Sequence, residues 1–224
     1  MVDSGRMDIQ RIVTGAYQEN AYLVGVCGGA AVVVDPGADA ALILDALRAA
    51  DASLAAVFLT HGHLDHISAL PELLAAVRAP VPVLVSAADA AWCFTERNAL
   101  FPYRPVLVPP DSLEPRLADG LSLRYGDASF RVLSTPGHSP GSVCLLLETG
   151  SSGAPAALFS GDTLFAGSIG RTDFEGGDDA AMAASLRRLA SLPDETRVLP
   201  GHGPATTIGR ERRANPYLAA ASRG

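Results

Sequence analysis

The feature that most constrains this chain is a short polar run at residues 60–66. It reads Thr60-His61-Gly62-His63-Leu64-Asp65-His66 and follows directly on an apolar stretch, residues 54–59. Imidazole nitrogens and a carboxylate oxygen are the donors that Zn²⁺ and similar divalent ions accept, and in a tight loop such closely spaced side chains converge without help from distant segments. Ligands for two ions could come from here. A solvated His-rich surface loop is the competing reading, and it explains little: the protein has five histidines and three of them stand in this run, an arrangement that serves neither packing nor solubility. Whatever the chain folds into must end an apolar strand at this loop and leave the loop reachable.

The remaining composition bounds the answer. With 224 residues and 48% hydrophobic content, one compact domain over 1–224 is expected, built of intimately packed halves. No apolar run is long enough to span a bilayer, and residues 1–10 lack the apolar core of a signal peptide, so a cytoplasmic protein with no membrane partner is expected. Cys27, Cys93 and Cys144 are scattered and odd in number, which predicts reduced thiols used for packing. The formal charge is −7 and all 17 basic residues are arginine. Lysine chemistry is therefore excluded, and an acidic chain without a basic run argues against nucleic acid as a partner.

Hydrophobic periodicity predicts strands at 8–14, 21–26 and 30–34, the last stopped by Asp35-Pro36-Gly37, then a helix over 38–50 and a strand at 56–60. The His/Asp run thus follows a β-α-β unit, at a strand end, where α/β folds gather ligands. Asp35, at another strand end, either supports the site from outside or is simply a turn former. A helix over 67–77, with Pro71 tolerable only near its first turn, a short strand at 81–85 and a weaker helix over 89–100 follow. Five prolines between 101 and 115 make that segment a stiff irregular crossing and a candidate substrate rim. Strands are expected again at 121–125, 129–134, 142–148 and 156–160, a helix at 178–190 and a strand at 197–199. Strands followed by a helix, twice over, suggest two βα halves packed sheet on sheet with helices outside.

The second half supplies more candidate ligands, each in a rigid Gly/Pro setting. His138 sits in Pro136-Gly137-His138-Ser139-Pro140-Gly141, Asp162 follows an apolar strand as Ser160-Gly161-Asp162, and His202 sits in Pro200-Gly201-His202-Gly203-Pro204. Glycine admits close backbone approach and proline fixes the turn. No histidine falls outside the pattern.

Together these residues resemble the metallo-β-lactamase superfamily, and within it the short glyoxalase II-like hydrolases. The resemblance rests on the 60–66 run, His138, the Gly161-Asp162 pair and the 201–204 turn. It implies an α/β fold, a four-layer αββα sandwich of two similar halves. Position by position, it implies that His61, His63 and His138 bind a first metal, that Asp65, His66 and His202 bind a second, and that Asp162 bridges them. Zinc is the expected ion, with iron or manganese accepted by the same donors. Two divalent ions about 3.5–4 Å apart would keep a shared water as hydroxide, and Asp65 would orient it. Thiolate is a good leaving group, so a small-molecule thioester suits a site without a strong general acid. Lactamases with a Cys ligand lack the counterpart of His66, and those that keep it lack the counterpart of Asp162, so the pattern matches neither. Gly170-Arg171-Thr172-Asp173-Phe174 is similar both to these hydrolases and to persulfide dioxygenases that bind one iron, whereas the residues from 200 to 217 resemble the hydrolase branch. Arg171 and Asp173 either touch substrate or pair with each other, the latter being expected. Full-length glyoxalase II carries a further helical domain whose basic residues hold glutathione; the chain reaches Gly224 without one, so loose recognition of the carrier thiol is expected. A non-catalytic domain stapled by metal is the alternative of another class.

Overall fold

A computed structural model describes residues 8–77, 79–148 and 155–221. The N-terminal reading over 1–10 therefore lies outside the described residues for its first seven. β1 (Ile9–Thr14), β2 (Glu19–Val26) and β3 (Ala30–Val34) form an antiparallel meander, and α1 (Ala40–Ala49) crosses over to β4 (Ser53–Phe58), parallel to β3. The short helices α2 (Leu64–Ile67) and α3 (Leu70–Ala76) lead to β5 (Val83–Leu84), and α4 (Ala87–Ala90) precedes β6 (Leu113–Glu114), completing a sheet in the order β1-β2-β3-β4-β5-β6. β7 (Ser122–Tyr125), β8 (Ala128–Ser134), β9 (Val143–Glu148) and β10 (Ala157–Gly161) begin the second sheet. A small hairpin, β11 (Leu164–Phe165) with β12 (Ser168–Ile169), and α5 (Asp179–Ala190) intervene before β13 (Arg197–Pro200) and β14 (Thr206–Thr207) complete the order β14-β13-β10-β9-β8-β7. α6 (Ile208–Ala214) and α7 (Pro216–Ala221) close the described chain.

The period-two alternation of the strands decides the layering. Tyr22 and Val24 of β2 face the other sheet, beside Phe58, Phe130 and Phe159, while Ala21 and Leu23 face α1 and meet Ile43 and Leu47. On β9, Leu145 and Leu147 turn inward and Cys144 and Leu146 turn outward onto Met182, Leu186 and Leu189 of α5. Sheets apolar on both faces need helices outside, and the result is the expected αββα sandwich. Phe58 and Phe130 meet edge to face at 5.1 Å in the central layer, a preferred aromatic geometry. α5 is capped by the Asp178 carboxylate, which accepts from Ala181 N at 2.8 Å, with Arg187 and Arg188 in its last turn, as the helix dipole favours.

Local differences from the sequence reading have local causes. β4 stops at Phe58, because Thr60 N turns away to donate to Asp35 Oδ1 at 2.7 Å. The helix expected over 67–77 is two helices, and it reaches back to hold Asp65 and His66 on α2. The break falls where Ala69 N donates to Pro36 O and Gly37 O and where Pro71 opens the second helix. Of the helix expected over 89–100 only α4 forms; the segment beyond turns on its own side chains, such as Thr95 Oγ1 donating to Trp92 O at 2.7 Å. Cys93 and Cys144 are packing residues, burial raising their thiols to about 12 and about 11, but Cys27 is exposed in the β2–β3 turn. Among the described residues no helix is long and apolar enough to cross a membrane.

Candidate metal centre

Loops from both sheets meet at one edge of the sandwich: those after β3 and β4 from the first, and those between β8 and β9, after β10 and after β13 from the second. They bring His61, His63, Asp65, His66, His138, Asp162 and His202 together. Donor atoms of His61, His63 and His138 form one group that could hold an ion, with all atoms within 4.8 Å of one another, and those of Asp65, His66 and His202 form another. Asp162 lies between them: its Oδ1 is 3.4 Å from His66 Nε2, and its Oδ2 is 3.5 Å from His138 Nε2 and 3.6 Å from His202 Nε2. Asp65 Oδ2 is 3.3 Å from His202 Nε2.

In four of the five histidines the ring nitrogen facing away from this centre has a partner, whereas His63 Nδ1 lies 2.9 Å from His138 Nε2 within it. His138 Nδ1 is 2.7 Å from Arg171 O, His202 Nδ1 is 3.1 Å from Tyr17 O, His66 Nδ1 is 3.1 Å from Asp35 Oδ2, and His61 Nδ1 is 3.1 Å from Thr60 Oγ1. Such partners fix the tautomer and turn the other nitrogen inward as a lone-pair donor. His61 Nε2, His66 Nε2 and Asp162 Oδ1 are buried and have no hydrogen-bond partner. Orphaned buried acceptors are costly, and their convergence is what a bound cation would relieve. The donor set fits divalent metal.

Electrostatics divide the ligands. Burial, then the neighbouring His66 and His138, pushes His61 well below the ordinary histidine range, and burial with His138 beside it lowers His63 to about 4. Burial works against charge on His66 and His202 as well, yet Asp162 and Asp65 carry His66 well above its ordinary value, and the hydrogen bond to Asp65 raises His202. Burial opposes ionisation of Asp162 too, but His66, His138 and His61 hold its carboxyl well below the usual carboxylate range.

Three buried carboxylates stand behind the centre. Asp35, in a left-handed conformation at φ 50°, accepts from Thr60 N and from Thr60 Oγ1 (2.6 Å), and its Oδ2 lies 3.1 Å from His66 Nδ1. Glu19 Oε1 lies 3.7 Å from the same His66 Nδ1. Asp89 accepts from Gly62 N (2.9 Å), Ser139 Oγ (2.7 Å), Gly141 N (2.7 Å) and Trp92 Nε1 (3.2 Å). Sequence reading missed Glu19 and Asp89: one looks like a turn residue before a strand, the other like an exposed helix position, and only long-range packing shows otherwise. Gly201 is required by proximity, since a Cβ there would stand 2.4 Å from Asp162 Oδ1 and 2.6 Å from His66 Cε1. Arg171 and Asp173 pair with each other, at 2.6 and 2.7 Å, the Arg171 guanidinium resting 4.0 Å from the centre of the Phe174 ring. Arg171 borders the cleft over the centre, and Asp173 does not.

The fold and the site define a metallo-hydrolase-type protein with a His/Asp metal-binding cluster. The chain belongs to the metallo-β-lactamase superfamily, whose family model matches residues 14–202. It is 31% identical over 223 residues to hydroxyacylglutathione hydrolase GloC of Haemophilus influenzae, an alignment covering 95% of this chain and 98% of that one. The solved structure of BLEG-1 B3 metallo-β-lactamase matches with a TM-score of 0.77 and 36% identity, covering 94% of this chain and 99% of the other. TTHA1623, solved in a di-iron-bound form, matches with a TM-score of 0.70 and 38% identity over 93% and 99%.

Proposed function

We propose that this protein is a binuclear metal-dependent hydrolase of small-molecule thioesters, similar in activity to hydroxyacylglutathione hydrolases. The observation that carries it is the pair of ligand groups, His61/His63/His138 and Asp65/His66/His202, with Asp162 between them. The relative named as a hydroxyacylglutathione hydrolase aligns over 98% of its own length, which supports that substrate class. When bound, two divalent ions supply an activated water and polarise the scissile carbonyl. Zinc is the proposed ion, and iron or manganese suits the same donors; the di-iron form of TTHA1623 keeps iron in view.

The protein's own groups do the positioning. Asp65, tied to His202 and ionised beside His66, orients the attacking water. His61 and His63, neutral because burial depresses their pKa, present lone pairs at neutral pH. Asp35 holds the His66 ring and the Thr60 backbone in register. The cleft over the centre, about 350 Å³ and bordered by Tyr17, Phe165 and Arg171, opens it to substrate. A metal that served only as a staple would need no such access. Neither nucleic acid nor a membrane is a proposed partner.

The test is metal content with turnover. Protein purified without added metal is expected to carry close to two divalent ions per chain, and Asp162→Ala to lose most of both metal and thioester hydrolysis. Loose grip on the carrier predicts that S-lactoylglutathione and a small model thioester differ by less than about a hundredfold in kcat/KM, equivalent to roughly 2.7 kcal/mol of recognition. One iron per chain with oxygen-dependent persulfide consumption would instead identify a dioxygenase. Efficient β-lactam hydrolysis without thioester hydrolysis would identify a lactamase.

A further inference from the structure

A second, smaller cavity of about 210 Å³ opens beside the metal centre. Its inner end is His63, whose ring centre lies 5.2 Å from Trp92 and 5.3 Å from Phe174. His63, Leu100 and Phe174 border both this cavity and the cleft over the ions, so a molecule reacting at the centre has a direct way in. At the outer rim Arg97 and Glu175 form an exposed ion pair.

We propose that this cavity is the acyl pocket of the enzyme and that it selects neutral apolar, preferably aromatic, acyl groups; the proposal rests on the thioester reading above. The volume falls below the ~300 Å³ at which pockets for whole drug-sized ligands begin, so it suits one arm of a substrate. The larger cleft is left for the carrier thiol. The walls are built in advance of any ligand. Trp92 Nε1 donates to Asp89 Oδ1 at 3.2 Å, and Asn98 Nδ2 donates to both Gly62 O and Cys93 O at 2.8 Å. Trp92 and Phe174 each set an apolar ring beside His63, where an aryl group gains both buried area and edge or offset ring contacts. The one cation at the rim is already matched by Glu175, so an acyl group ending in a carboxylate finds no unpaired positive charge and would meet the Glu175 carboxylate.

Two readouts test it on the metal-loaded protein. The first compares kcat/KM for phenylacetyl, acetyl and succinyl thioesters of one small carrier thiol. The phenylacetyl-to-acetyl ratio is expected to exceed about tenfold, since even single methylenes reach that discrimination in apolar pockets, with succinyl poorest. Ala99→Phe, which fills the cavity from its exposed wall, and Trp92→Ala should each bring the ratio towards one. Using a ratio within each variant cancels any loss that reaches the metal loop through Asp89. The second exploits Trp92 as the single tryptophan of the chain: its fluorescence should change saturably with phenylacetamide, should not respond to acetamide, and should lose the phenylacetamide response in Ala99→Phe. Thioester turnover with an acyl ratio near one and a silent Trp92 overturns the pocket and leaves the functional reading standing. No turnover of any thioester, with a saturable Trp92 response, overturns the functional reading and the acyl assignment together, while retaining the cavity as an apolar binding site. A succinyl preference overturns the selectivity.

Discussion

His63 and His66 stand three positions apart, yet their surroundings drive them in opposite directions: burial lowers His63 to about 4, whereas Asp162 and Asp65 raise His66 despite its burial. A raised pKa keeps a proton on the ring to higher pH, where it competes with metal; a lowered one leaves the lone pair free into acid. His66 and His202 belong to one ligand group and are both raised, and His61 and His63 belong to the other and are both lowered. Acidification is therefore expected to release metal in two steps. The Asp65/His66/His202 ion leaves first as the pH falls from neutral into acid, and the three-histidine ion follows at lower pH. Metal per chain measured after equilibration across this range checks it, and loss of both ions in one step would contradict the division.

The segment beginning with α4 controls the first ligand group from outside. Asp89 receives Gly62 N, between His61 and His63, on one oxygen and Gly141 N, beyond His138, on the other, so one carboxylate ties together loops from both sheets. The peptide carbonyl of Gly62 is held as well, by Asn98. Asp89→Asn keeps the shape but has one acceptor oxygen, so whichever way the amide lies its NH₂ faces a backbone N–H. The variant is expected to fold and to bind the ion of the three-histidine group at least about tenfold more weakly, the size usual for groups that orient ligands, with the other ion less affected. Calorimetric metal titration distinguishes the two, and wild-type affinity at both would sink the assignment.

At the scale of the molecule, the two sheets hold the two halves of the site in register. Phe159 is fully buried on β10, 5.3 Å from Tyr22 of the first sheet and 6.4 Å from Phe130 of its own, while Tyr22 Oη donates to Pro200 O at 2.8 Å. β10 and β13 then run directly into Asp162 and His202. Phe159→Ala should cost about 3–5 kcal/mol, lowering Tm by roughly 6–20 °C for a chain of this length. A thermal scan showing less than a few degrees of change would mean that this interface is not what joins the halves.

The αββα architecture was legible in the sequence, as were the His and Asp side chains that the fold brings together, because both are written in local patterns. Alternating apolar residues mark two-faced strands, and His/Asp side chains in Gly/Pro turns mark strand ends. What only the tertiary structure decided depends on residues far apart in the chain. Glu19 becomes a buried neighbour of His66 through the packing of β2, and Asp35 gains its contacts because Thr60 and His66 come to it. Asp89, 50 positions before Ser139, joins the two halves. The helix expected over 89–100 gave way to a wall of turns because side-chain hydrogen bonds to the metal loop outcompeted a weak local preference. The surroundings that set His61 and His63 against His66 and His202 arise in the same way, since burial and charge proximity are properties of the packed fold and leave no periodicity to read.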